Sequence, residues 1–396
     1  MKITVIGDIM CEPPVLKASM GGNGSYNFDG VFEKIAPMFS EADYVIGNLE
    51  FPLAGEDMKY TDSFYDFNAP AEYAEAAKRA GIDLVSTANN HTLDRGAEGA
   101  LHTVKTLDAM GFPNTGVSLP DEPRRGAYYF ELDGVRFALV AYTYTTNKRL
   151  GEDEKWFDGC VNYLRDPRSA TYLPYVRRKM KNWVDKLFPK AKIETRSRIK
   201  LLLGMPGTIE RADDFIDFEK AAPYVESFVS DIKAARERAD FVIAYPHVGG
   251  QFNPEVGTFS KYVMHEAVKA GADVILASHS HMVQRIKRIS DVPCAFSLGN
   301  FNMSTHSAIT VKKNLPNYGL AVHLYMDGKT LSRMTFSITK GVEPGREQIK
   351  TYPIDVLYET LGKRGKRKLE KDVKKVYKFA TGRELTGEII RREYDL

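Results

Sequence analysis

Val274-Ile275-Leu276-Ala277-Ser278-His279-Ser280-His281 joins a short apolar run to two histidines set one residue apart. The β-branched run, flanked by polar residues, reads as a buried strand, so both imidazoles fall just past its carboxyl end. On a continuing strand such residues share a face, and in a tight loop they can converge on one ion or on two neighbouring ions. An HxH tripeptide by itself is equally what an ordinary surface loop carries. Partners elsewhere in the chain decide between the two readings.

Those partners stand at the ends of other strand patterns. Residues 3–6 run into Gly7-Asp8, where glycine permits a tight turn and a carboxylate follows. Residues 43–46 run into Gly47-Asn48-Leu49-Glu50. Residues 83–87 run into Ala88-Asn89-Asn90-His91-Thr92-Leu93-Asp94, the densest group of potential ligands in the chain. Residues 241–245 lead to His247, and 293–298 lead to Gly299-Asn300. Each of these residues alone is also what a helix cap, an Asx turn or a surface histidine would be. Six strand patterns ending in Asp8, Glu50, Asn90-His91, His247, His279-His281 and Asn300 form a regular placement. In sheets flanked by helices, sites assemble outside the carboxyl ends of the strands. Carboxylate, imidazole and amide oxygen together suit Mn²⁺, Fe²⁺, Zn²⁺ or Mg²⁺ and exceed what one tetrahedral ion takes. Two divalent metal ions sharing a bridging carboxylate are therefore expected.

A chain of 396 residues with 43% hydrophobic and 27% charged content is long enough for a sizeable core and has a globular composition. Lys+Arg 55 against Asp+Glu 52 leaves +3, so the total indicates no nucleic-acid partner, and any basic signal must be local. Cys11, Cys160 and Cys294 form no CxxC pair, which fits a reducing compartment. The first strand begins at once, without a secretory apolar region, and no apolar run reaches bilayer length; a cytoplasmic location with no transmembrane segment is expected.

Helical patterns fall at 32–39, 71–80, 97–110, 217–239 and 262–270, the last carrying His265 as a surface or packing residue, and 11–27 reads as a loop. Hairpins around Asp133-Gly134 and Asp327-Gly328 break the strand-helix alternation, so the α/β fold has mixed sheets. Residues 147–207 read as a basic insertion, with Arg177, Arg178, Lys179 and Lys181 among its cations. Its ordinary reading is a solvated amphipathic helix, and the sharper one is contact with an anionic substrate or surface. Residues 345–396 read as a charged helical tail, to which no chemistry is assigned.

The ordered set Gly7-Asp8-Ile9-Met10, Asn48-Leu49-Glu50, Asn89-Asn90-His91-Thr92-Leu93-Asp94, Tyr245-Pro246-His247-Val248-Gly249-Gly250, His279-Ser280-His281 and Ser297-Leu298-Gly299-Asn300-Phe301 resembles the CapA family. These are capsule and poly-γ-glutamate synthesis proteins, related to calcineurin-like metallophosphoesterases. The resemblance runs from the first strand to Phe301 and covers neither the basic insertion nor the tail. It implies a four-layer α/β/β/α sandwich, metallophosphatase-like, over residues 1–340. It also implies a metal-dependent hydrolase acting on an anionic polymer or ester, a poly-γ-glutamate-like chain or a phosphoester. The alternative is a catalytically degenerate accessory or binding component of a polymer-synthesis complex. Carried over by position, the resemblance implies Asp8 and His281 on the first metal and Glu50 as the bridge. Asn90, His247 and His279 would hold the second. His91 would be the acid or transition-state stabiliser, oriented by Asp94, and Asn48, Asn89 and Asn300 would stand behind the ligands or face substrate. Met10 occupies the position of a phosphoesterase histidine, so the first metal has one ligand fewer, and Glu50 replaces the usual bridging aspartate. Both changes are shared with the CapA pattern. Ala277 stands where glycine often precedes HxH.

Overall fold

In the computed structural model, which describes residues 1–22, 24–168, 183–191, 195–196, 199–200, 203, 212–214, 216–307, 311–345 and 347–396, the apolar runs, of which Phe241–His247 is buried at every position, become strands. In chain order these are β1 (Lys2–Ile9), β2 (Tyr44–Leu49), β3 (Leu84–Ser86), β4 (Asn114–Thr115), β5 (Tyr128–Leu132), β6 (Val135–Thr143), β7 (Phe241–His247) and β8 (Val274–Leu276). They continue with β9 (Ile286–Ile289), β10 (Val292–Ala295), β11 (Asn300–Asn302), β12 (Tyr318–Asp327), β13 (Thr330–Val342), β14 (Lys350–Pro353) and β15 (Tyr394–Asp395).

Side chains alternate across a strand, so each run feeds two cores. Phe137, Leu139 and Ala141 of β6 and Phe241 and Ile243 of β7 meet Ile3 and Val5 of β1 and Leu320 and Val322 of β12 in one apolar layer between two sheets. Ala138, Val140, Val242 and Ala244 face the other way, onto helices Phe218–Arg238 and Thr258–Ala270. On the opposite flank, Ile6, Ile9, Val45 and Val85 pack with Val31, Phe32, Tyr73 and Ala77 from helices Asp29–Phe32 and Ala71–Arg79. The chain is thus a four-layer α/β/β/α sandwich with mixed sheets. The first sheet runs β14-β13-β12-β1-β2-β3-β4, and the second β5-β6-β7-β8-β10-β9. Parallel pairing joins β1, β2, β3 and β4 in one sheet and β6, β7, β8 and β10 in the other. Antiparallel hairpins complete the edges.

Strand β1 changes partner partway along. Strand β12 pairs antiparallel with residues 2–6, and β11 pairs parallel with Asp8 and Ile9. Gly7 stands at the change: a Cβ there would lie 1.9 Å from the Gly299 carbonyl oxygen, to which Asp8 N donates at 3.1 Å. Only glycine admits that approach. The chain crosses from the second sheet to the first between Ala295 and Asn300, so Asn300 opens β11 beside Asp8 instead of ending a strand.

Helix Pro13–Ser19 occupies part of the expected loop at 11–27, because the prolines sit in its first turn, where a missing N–H costs nothing. The expected helix at 32–39 is two short ones, Asp29–Phe32 and Ala36–Phe39, with Pro37 in the first turn of the second. His265 is exposed on helix Thr258–Ala270. Arg177, Arg178, Lys179 and Lys181 of the basic insertion lie outside the described residues. Residues 345–396, read as a charged helical tail, do more than cover a surface. They add β14 and β15 to β13, and helix Lys363–Thr381 buries Leu369, Val373, Val376 and Ala380 in the intersheet cluster. That spacing is one face of a helix. Among the described residues no helix is long and apolar enough to cross a membrane.

Because Leu369 is a core residue, Leu369→Ala is expected to lower stability to urea unfolding by about 2–5 kcal/mol. A detached appendage would leave the midpoint unchanged.

Candidate metal centre

The candidate side chains arrive on separate backbone segments. Asp8 is the penultimate residue of β1, Glu50 follows β2, Asn89, Asn90 and His91 follow β3, His247 closes β7, and His279 and His281 follow β8. All are buried. Ser278 still bridges to His247, and its carbonyl accepts from Val248 N at 3.0 Å. The backbone then leaves the strand direction: φ is 102° at His279 and 52° at His281, in the left-handed region that disfavours side chains. Such conformations cost on the order of 1–3 kcal/mol each and persist only where the surroundings enforce them. Here His279 N donates to Asp8 Oδ2 at 3.1 Å, tying the turn to the other sheet.

Ligand atoms of Glu50, His247 and His279 lie within 4.8 Å of one another, and so do those of Asp8, Glu50 and His281. Glu50 belongs to both groups. His247 Nε2 and His279 Nδ1 are 3.0 Å apart, and Asn90 Oδ1 lies 2.7 and 3.2 Å from them. Glu50 Oε1 stands 3.5 Å from His247 Nε2 and 3.7 Å from His281 Nε2. Six of the sequence-derived candidates therefore meet at one point between the sheets: Asp8, Glu50, Asn90, His247, His279 and His281.

The surrounding amides fix which lone pairs face inward. Asn300 Nδ2 donates to the carbonyls of His281 and Pro316, so its Oδ1 is the acceptor 2.9 Å from His281 Nδ1. His281 Nδ1 then carries the hydrogen, and Nε2 presents a bare lone pair toward Glu50. Asp8 Oδ1 accepts from Asn48 Nδ2 at 2.7 Å. Asn89 Nδ2 in turn donates to Asn48 Oδ1 at 3.2 Å and to Leu49 O at 2.8 Å. His247 Nδ1 lies 2.9 Å from Ser278 Oγ, leaving Nε2 for the cluster.

The donor set fits divalent cations. Both Glu50 carboxylate oxygens and His279 Nε2 are buried without a hydrogen-bond partner. The ion-pair partners of Asp8 and Glu50 among the described residues are histidines alone. Burial, and then the charge of Asp8, raise the Glu50 pKa well above its ordinary value. Burial lowers His247 to about 3 and also depresses His279 and His281, which keeps the rings neutral, as ligands must be. Carboxylates facing neutral imidazoles with no fixed cation leave a charge deficit that a bound cation offsets.

His91 lies beside this group, its Nδ1 2.6 Å from Asp94 Oδ2. Asp94 Oδ2 also accepts from Phe67 N at 2.7 Å, and the Phe67 ring stacks on His91 at 4.2 Å. Sequence reasoning missed four neighbours. Asn147 N donates to Asn90 O at 2.6 Å, and its Oδ1 accepts from Asn90 Nδ2 at 3.2 Å. It follows β6, so the rule of polar residues past strand ends would have found it. Ser278 orients His247, while the Tyr144 and Phe252 rings lie 4.8 and 5.6 Å from His279 and His281; nothing in local sequence signals these contacts. Met10 packs in the core beneath the helices, so position 10 contributes no side-chain ligand.

The family described as "Bacterial capsule synthesis protein PGA_cap" matches residues 2–305. The chain is 24% identical over 330 residues to the capsule biosynthesis protein CapA of Bacillus anthracis, covering 81% of this chain and 66% of that one. It is 23% identical over 307 residues to the PGA biosynthesis protein CapA of Bacillus subtilis, covering 76% and 63%. The chain therefore spans less than two thirds of the length of these relatives. A solved phosphatase of Mycoplasma pneumoniae aligns with TM-score 0.38 and 11% identity over 86% of this chain and 88% of that one. The fold assignment rests on the two sheets themselves and not on that likeness.

Glu50→Gln replaces a buried carboxylate that has no hydrogen-bond partner and is expected to stabilise the metal-free protein by about 1–3 kcal/mol. Mn²⁺ at a hundredfold excess over its Kd should stabilise the unsubstituted protein by about 2.7 kcal/mol and the variant far less, read by thermal unfolding with and without the ion. An unsubstituted protein indifferent to divalent cations would contradict this.

Proposed function

The chain belongs to the bacterial capsule synthesis protein PGA_cap family, and on that premise we propose that it is a metal-dependent hydrolase-like protein acting on an anionic polymer or ester, a poly-γ-glutamate-like chain or a phosphoester. The observation that carries this reading is Glu50, common to two groups of ligand atoms with neither of its oxygens hydrogen-bonded. In this reading Asp8, Glu50 and His281 hold one divalent ion, and Glu50, Asn90, His247 and His279 hold a second. Mn²⁺, Fe²⁺, Zn²⁺ and Mg²⁺ all suit the set. Bound there, such ions lower the pKa of water and offset negative charge on the attacked phosphoryl or carbonyl centre. The names of the two CapA relatives support a polymer of the capsule type as the substrate class.

The protein's own residues set the remaining conditions. Asn48 and the His279 backbone N–H clamp the two Asp8 oxygens, so the carboxylate cannot swing away. Asn300 holds His281 in the tautomer that a ligand needs. Asp94 accepts from His91 Nδ1, which leaves Nε2 to deliver a proton to a leaving group. Phe67 and Asn147 keep that ring and Asn90 in place.

Met10 favours a second reading, an accessory component whose centre has lost activity. Its side chain lies in the helix-facing core, leaving the first group with Asp8, Glu50 and His281. Turnover separates the two. The purified chain, loaded with Mn²⁺, is expected to hydrolyse a phosphodiester or a γ-glutamyl substrate. His91→Ala should lower kcat by about 10²–10⁴ with metal content unchanged. Metal-loaded protein without turnover on either substrate class would leave the accessory reading standing.

A further inference from the structure

The net charge of +3 conceals a strong local imbalance. Helix Lys363–Thr381 carries nine Lys or Arg against Glu370 and Asp372, a net +7, so the rest of the chain is net acidic by four. Leu369, Val373, Val376 and Ala380 bury one face. At 3.6 residues per turn, the exposed cations fall on the opposite face, in an arc about 140° wide and about 20 Å long. Lys363, Arg364, Arg367, Lys368, Lys371 and Lys374 are exposed, and their side chains make no hydrogen bond or ion pair with any described residue. Like charges at i, i+3 and i+4 repel, so the row raises the helix's free energy unless an anion offsets it. The helix lies beyond residues 2–305, outside the family match.

The basic row is linked to the metal centre through residues 312–318. Tyr318 Oη donates to Asp372 Oδ2 at 3.0 Å, and Lys375 Nζ donates to the Lys313 carbonyl. At the other end, the Pro316 carbonyl accepts from Asn300 Nδ2 at 2.7 Å, and Asn314 Nδ2 donates to the Phe252 carbonyl at 2.6 Å. Asn300 and Phe252 both lie against His281. Lys312 and Lys313, both exposed, stand on this link.

We infer that the outer face of helix Lys363–Thr381 is a docking track for a linear polyanion, which it holds beside the metal centre along the segment 312–318. This deepens the polymer reading given above and rests on it. A row of cations one helical turn apart complements a chain with repeating negative charges better than a compact ester, which would engage one or two of them. An anionic membrane is the weaker match. The helix's apolar residues are spent inside the protein, and no large hydrophobic residue is exposed along it to enter a bilayer.

The test titrates labelled poly-γ-glutamate into the full chain at low salt, following fluorescence anisotropy. The triple variant Arg367→Glu, Lys371→Glu, Lys374→Glu is compared with a control triple of equal charge change, Lys105→Glu, Lys233→Glu, Lys261→Glu. The helix variant is expected to lose about tenfold or more in affinity and the control less than about twofold, with binding to the unsubstituted chain weakening as salt rises. Both triples should retain bound Mn²⁺ and their unfolding midpoints. If no protein turns over any substrate, the hydrolase reading fails while the anisotropy still reports on the helix. A helix variant that binds poly-γ-glutamate like the control would overturn the inference. So would tighter binding of duplex DNA or phosphatidylglycerol vesicles than of poly-γ-glutamate at equal charge, which would assign the face to another class of partner.

Discussion

Asp8 and Glu50 are buried together where the two sheets meet, and among the described residues no lysine or arginine answers their charge. Protein interiors reject unpaired carboxylates strongly enough that such a pair survives only where something compensates it. The surrounding structure is arranged around that demand. Gly7 lets the crossing chain approach β1 closely enough to set Asn300 beside Asp8. His279 and His281 adopt left-handed backbone angles, and burial keeps their rings neutral. Each of these features is unfavourable alone, and all of them become intelligible if divalent cations occupy the space between them.

Much of this was legible in sequence because one rule, polar residues just past buried strands, depends only on local pattern. Asp8, Glu50, Asn90, His91, His247, His279 and His281 each follow or close an apolar run, and the sheets gather those ends without further instruction. The layers were legible for a similar reason. Strands such as 241–245 are apolar at every position, which is what burial on both faces requires.

What was illegible depends on long-range placement or on residues with two uses. Pro13 and Pro14 read as loop residues, yet proline is as suited to a helix's first turn. Asn300 was found but misplaced, since nothing local states that the chain changes sheets at 296–299. Residues 345–396 read as a charged helical tail, because their charges outnumber their apolar residues. The four apolar residues that matter lie on one helical face, and burying them brings the last strands into the sheet. That placement also turns the opposite face outward as a concentrated row of cations, so packing and surface charge have a common origin in this helix.

The central claim is that Glu50 joins two cation sites built from both sheets. The most direct measurement is diffraction from crystals grown with Mn²⁺, recorded at the manganese absorption edge. The expected result is two anomalous peaks with Glu50 between them, one bounded by Asp8 and His281 and the other by Asn90, His247 and His279. Manganese-soaked crystals with no anomalous peak among these residues, or with a peak that Glu50 does not touch, would contradict it.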